Sequence, residues 1–113
     1  MEIKEPEITR DQILVLQDPN FSVGNVCIVT GAGTGIGRAT AIAAAANNLM
    51  TVGLDINEKE GKKTQKIARD MGGQMIFIKT DLCNDAELTQ AVSDAAKLGA
   101  ITFVANIAGL QHI

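Results

Sequence analysis

Three glycines and one aspartate in this chain have the types and the spacing to hold a nucleotide: Gly31, Gly35 and Gly37, then Asp55. The glycines follow a short run with β-branched residues, Val26, Ile28, Val29 and Thr30, and precede an alanine-rich run, Ala39 to Ala46. Strand, glycine turn and helix in that order make a phosphate cradle. Glycine admits backbone angles closed to other residues and lets a ligand approach the main chain. The helix start offers unpaired N–H groups and the positive end of its dipole to an anion. Asp55 closes a second apolar run about twenty residues past the glycines, where a carboxylate accepts bonds from adenosine ribose hydroxyls. Its charge opposes the 2′-phosphate of NADP, and no Arg or Lys stands beside it. NAD is therefore expected over NADP. Lys59, Lys62 and Lys63 lie further on and read as a solvated face.

The elements that must position these residues follow from periodicity. Strands are expected over 25–30, 50–54, 75–79 and 101–105, and a helix over about 35–47. Asn57 is expected to cap a polar helix with Glu58 and Lys62 at i,i+4 spacing. Thr64, Ile67, Ala68 and Met71 form its buried stripe, and Gly72-Gly73 stops it. Asn84 with Glu87 predicts a capping box, opening a helix whose inner face is Leu88, Ala91, Val92 and Ala95. Gly99 ends it. Alternating strands and helices with short connections require parallel pairing through right-handed crossovers. The fold class is α/β: a Rossmann-like doubly wound parallel sheet, incomplete, with strand order 3-2-1-4. Residues 1–24 read as an N-terminal extension lying on the domain surface. Residues 25–113 read as the N-terminal part of a nucleotide-binding domain that stops after strand four, where a further covering helix is expected.

Bulk properties set the class. The chain has 113 residues, 46% hydrophobic and 20% charged, so one globular domain is expected. Aromatics are only 3%, leaving a core of Ala, Val, Ile, Leu and Met. A net charge of −3 gives no general attraction to nucleic acid or to acidic membranes, and no apolar run approaches the ~20 residues needed to span a bilayer. Cys27 and Cys83 have no metal-ligand or redox spacing and read as buried thiols in a reducing cytoplasm.

With these residues in view, the chain resembles the short-chain dehydrogenases/reductases. Thr30-Gly31-x-x-x-Gly35-Ile36-Gly37 is similar to their T-G-x-x-x-G-I-G signature, whereas the more general G-x-G-x-x-G fingerprint, begun at Gly31, fails at Ile36. Asp81-Leu82 stands where the family carries an acidic residue after strand three. Asn106-Ile107-Ala108-Gly109 matches the N-N-A-G marker at Asn106, Ala108 and Gly109, with Ile107 in place of the second Asn. The resemblance implies a cofactor-binding set of Gly31, Thr34, Gly35, Ile36, Gly37, Asp55, Ile56, Asp81, Leu82, Asn106, Ala108 and Gly109, with Asp81 bonding the adenine amino group.

The ending Ala108-Gly109-Leu110-Gln111-His112-Ile113 resembles the N-A-G-I-Q-H stretch of D-3-hydroxybutyrate dehydrogenase-like members. That implies Gln111 as a donor to a substrate carboxylate and a 3-hydroxy acid as substrate. His112 receives no role. The family's catalysis uses Ser, Tyr and Lys, the last two as Y-x-x-x-K, with the Lys lowering the Tyr pKa for proton exchange. The 113 residues contain no tyrosine, so no catalytic residue is expected among them. The implied full-length protein is a homo-oligomeric, cytoplasmic NAD-dependent enzyme acting on a small alcohol or ketone. The alternative is a non-catalytic module that senses a dinucleotide or binds a partner with the same cradle.

Overall fold

The computed structural model describes residues 5–109. Seven regular elements follow the expected order: β1 (Asn25–Thr30), α1 (Gly35–Ala46), β2 (Met50–Asp55), α2 (Glu58–Asp70), β3 (Met75–Lys79), α3 (Asp85–Ala96) and β4 (Ala100–Asn106). The strands form one parallel sheet in the order β3-β2-β1-β4. The order reverses between β1 and β4, and in such sheets the crevice beyond the strand C-termini at that reversal is where ligands bind.

The residues of β1 alternate between two cores, as the two-residue period of a strand dictates. Cys27 and Val29 point to one face, under α1 and α2, with Ala41, Ile42, Ala45 and Ala68. Val26 and Ile28 point to the other, under α3, with Val52, Leu54, Ala91 and Ala95. The small side chains along α1 let that helix lie close to the sheet. Between β1 and β4 the register slips by one residue, because Val26 pairs with Ile101 and Cys27 with Phe103. The slip sets Thr30 opposite Asn106 at the C-terminal ends of both strands.

Several local expectations are revised. Asn84 does cap α3, accepting from the N–H groups of Ala86 and Glu87 at 3.1 and 3.2 Å. Glu87 does not return the bond, however. Its carboxylate accepts the Asp81 N–H at 3.2 Å, while the Asn84 N–H goes to the Asp81 carbonyl at 2.9 Å. The reciprocal box is replaced by a turn that immobilises Asp81. Val92 is exposed rather than buried, because α3 meets the sheet through Leu88, Ala91 and Ala95 alone among the described residues. Cys83 is also exposed: it sits in the loop between β3 and α3, whereas Cys27 is buried within β1.

The N-terminal segment does more than lie on the surface. It makes a single 3-10 turn over Arg10–Gln12, and Ile8, Ile13 and Phe21 pack against the α1–α2 core. The Phe21 ring meets Phe103 edge-on, with centroids 5.6 Å apart. At the C-terminal end of α1, the Asn47 side chain accepts the Leu16 N–H at 2.6 Å and donates to the Leu14 carbonyl at 3.0 Å.

Candidate functional site

The glycine loop owes its shape to one close approach. A methyl group on Gly37 would fall inside the carbonyl of Gly31, far within van der Waals contact. The loop thus closes directly onto the first turn of α1, and only glycine fits at that position. Gly31 and Gly35 hold positive φ angles of 69° and 59°, in the left-handed region where other residues are strained. Thr34 occupies the N-cap position of α1 without a side-chain capping bond.

Around this loop lies a cleft of about 750 Å³ at the C-terminal ends of the strands. Gly31, Thr34, Ile36 and Gly37 form its base on the α1 side. Asp55 and Ile56 border it from the end of β2, and Asp81 and Leu82 from the loop after β3. Ala108 and Gly109 close it from beyond β4. Gly35 and Asn106 are not part of this lining: the Gly35 N–H is bonded to Glu5 at 2.9 Å, and Asn106 ends β4 beside Thr30. Gln111 falls outside the described residues.

Each acidic side chain in the cleft is held in place. Asp55 accepts the Gly33 N–H on Oδ2 and the Asn57 N–H on Oδ1, both at 2.9 Å. Asp81 accepts the Cys83 N–H at 3.0 Å. Backbone bonds steady the same region, from Ala32 N–H to the Leu54 carbonyl at 3.2 Å and from Thr80 N–H to the Asp55 carbonyl at 2.9 Å. Both carboxylates remain partly open to solvent.

Gly33 and Arg38 were not singled out by sequence reasoning, and Thr30 and Thr64, read there as the first residue of the motif and as part of a buried stripe, hold roles that it did not assign. Gly33 donates to Asp55, and a Cβ there would lie 2.7 Å from the Asp55 Oδ2; the Gly31-x-Gly33 pair was the available signal. Thr30 accepts the N–H groups of Ile107 and Ala108 on Oγ1, at 3.0 and 3.1 Å, fixing the segment after β4. Arg38 is buried behind the loop. It donates to the Thr64 hydroxyl at 2.9 Å, to the Glu60 carboxylate at 2.7 Å and to the Glu5 carboxylate at 3.1 Å. Thr64 in turn donates to the Ala32 carbonyl at 2.8 Å, tying α2 to the loop. A lone arginine entering an alanine run and a threonine in an otherwise apolar stripe were the signals for this pair. The Arg38 guanidinium holds the Glu60 carboxyl below its ordinary range, and burial pushes the Cys27 thiol up.

Residues 25–113 match the family profile described as short chain dehydrogenase. The chain belongs to the short-chain dehydrogenase family. An uncharacterized oxidoreductase of Thermotoga maritima is 37% identical over 92 residues, which cover 80% of this chain and 36% of that protein. A short-chain dehydrogenase/reductase from Burkholderia phymatum, solved in complex with NAD, matches with a TM-score of 0.70 and 30% identity, over 75% of this chain and 30% of that one. A variant of actinorhodin polyketide ketoreductase, solved with NADPH, matches with a TM-score of 0.73 and 25% identity, over 77% of this chain and 34% of that one. The chain thus spans about a third of the length of the curated relatives it matches. It carries the family's Rossmann-like parallel sheet. No helix among the described residues is long and apolar enough to cross a membrane.

Proposed function

We propose that this chain forms the cofactor-binding part of an NAD-dependent short-chain oxidoreductase that moves a hydride between a secondary alcohol, or its ketone, and the nicotinamide. The observation that carries the reading is the position of Asp55, whose carboxylate borders the same cleft as the glycine loop. The residues present fit a dinucleotide. The base of the cleft is the glycine-loop backbone, which the close approach of Gly37 to the Gly31 carbonyl draws onto the first turn of α1, and the start of α1 presents its positive end there. In this reading the loop from Gly31 to Gly37, with Thr34, Gly35 and Ile36, holds the pyrophosphate. Asp55 and Ile56 hold the adenosine ribose, Asp81 and Leu82 the adenine, and Ala108 and Gly109, set in place from Asn106 at the end of β4, line the way to the nicotinamide. NAD supplies the hydride acceptor when bound; the chain's own residues bind and orient it.

The preference for NAD rests on charge. Asp55 opposes a 2′-phosphate, and Arg38, a cation behind the same loop, is already enclosed by Glu5 and Glu60. Lys62 is paired with Glu58 on the exposed side of α2. For the substrate, we favour a 3-hydroxy acid such as 3-hydroxybutyrate, with Gln111 donating to its carboxylate, on the resemblance of residues 108–113. The full-length protein in this reading is a cytoplasmic homo-oligomer whose partner is a small molecule, neither nucleic acid nor membrane. The test is an assay of the full-length protein with 3-hydroxybutyrate and either NAD or NADP. Reduction of NAD well ahead of NADP is expected. Equal use of both removes the cofactor assignment, and turnover of other secondary alcohols but not 3-hydroxybutyrate removes the substrate.

A further inference from the structure

Among the three helices, α1 is the one whose first turn lacks an acidic residue and whose N-cap makes no side-chain bond. The structure completes it from thirty residues away. Glu5 Oε1 accepts the Gly35 N–H at 2.9 Å, and Glu5 Oε2 pairs with Arg38 at 3.1 Å. Glu5 reaches that position because the rest of the N-terminal segment is fastened along α1. Ile8, Ile13 and Phe21 rest on the core, and Leu14 and Leu16 bond Asn47 at the far end of the helix. The segment therefore runs as a strap from one terminus of α1 to the other. Its carboxylate stands at the N-terminus that the proposed function gives to the pyrophosphate, but outside the cleft.

We infer that the strap is an intramolecular competitor of the dinucleotide: Glu5 supplies an anion to the start of α1 and so lowers its attraction for phosphate. The inference rests on the dinucleotide reading above. Two effects act in the same direction. The Gly35 N–H is occupied while Glu5 is docked, so phosphate can use it only by displacing the carboxylate. The carboxylate's charge also offsets the helix dipole and the Arg38 guanidinium at short range. A purely structural strap would behave in the opposite sense. Removing it would loosen the loop and weaken binding.

The experiment titrates NAD into the full-length protein by calorimetry, comparing wild type, Glu5→Gln and Glu7→Gln. Glu7→Gln removes an exposed charge of the same strap. Glu5→Gln is expected to bind NAD about two- to fivefold more tightly, the size of one charge acting at a helix terminus. Glu7→Gln should match wild type, and the gain should shrink as salt is raised. Unchanged or weaker binding by Glu5→Gln, with wild type binding normally, overturns the competition and leaves the dinucleotide reading standing. Failure of wild type to bind either NAD or NADP overturns both. If Glu5→Gln does not fold, a chain beginning at Pro6 removes the carboxylate while keeping Ile8, Ile13 and Phe21, and the same tightening is expected of it.

Discussion

The hydroxyl of Thr30 accepts the backbone N–H of Ala108 at 3.1 Å, joining the last residue of β1 to the segment that leaves β4. The same oxygen accepts the Ile107 N–H at 3.0 Å. One side chain thus fixes one wall of the cleft. Thr30→Val keeps the shape of the side chain but leaves two amides without a partner, at a cost of about 1–3 kcal/mol for each one shielded from water. Urea denaturation should show lower stability and calorimetry weaker binding of NAD, whereas Thr30→Ser should restore both.

Gly37→Ala is expected to be the most damaging single change in the glycine loop. The added methyl must displace the Gly31 carbonyl, which is backbone and cannot swing aside. A loss of more than about 3 kcal/mol, in the range of severe core disruption, is expected. Thermal denaturation measures it; a melting temperature within a degree or two of wild type, roughly within the scatter of a neutral surface change, would contradict the close approach.

Asp55→Ser tests cofactor choice. The shorter, neutral side chain removes the charge that opposes a 2′-phosphate, so the ratio of NADP to NAD affinity should rise by about tenfold or more, equivalent to about 1.4 kcal/mol. Because Asp55 also accepts from Gly33 and Asn57, a modest fall in stability should accompany the change. An unchanged ratio would take Asp55 out of the ribose site.

Stability should depend on acid through Glu60. Its folded pKa lies below the ordinary value of 4.5, held there first by the hydrogen bond from Arg38. The unfolded chain therefore takes up this proton more readily than the folded one. The contribution is complete above pH 4.5 and is lost as pH falls through the folded value. Urea midpoints followed downward from about pH 6, where the carboxylate is ionised in both folded and unfolded chains, should drop for wild type. They should drop less for Glu60→Gln, which has nothing to protonate at that position.

Periodicity made the framework legible. Strand alternation, the alanine run and the Asn57 and Asn84 caps all act over a few residues, so they can be read without knowing what packs where. The interactions that span the chain could not be read in this way. Arg38 meets Glu5 across 33 positions, and Thr30 meets Ala108 across 78; nothing local to either residue names its partner. Val92 read as buried because helical spacing identifies a stripe but not the width of the surface that covers it. Glu87 read as a reciprocal cap because its distance from Asn84 was right, whereas the fold brought the Asp81 amide to it instead. In the site, glycine spacing and the acidic strand ends were informative, while Gly33 and the bonding partners of the motif's Thr30 emerged only once β2 and β4 were set beside β1.

The alternation along β1 gives the molecule two thermodynamic compartments with a shared wall. Ala45 belongs to one and Ala91 to the other, and β1 stands between them. Enlarging both residues should therefore produce losses of stability that simply add, within about 0.5 kcal/mol, as for sites that share no partners. Denaturation of the two single variants and the double variant measures this. Injury beneath α3 would then spare the α1–α2 compartment but reach the adenine end of the cleft, through Leu82, which packs on that core, and Asp81, whose N–H bonds Glu87.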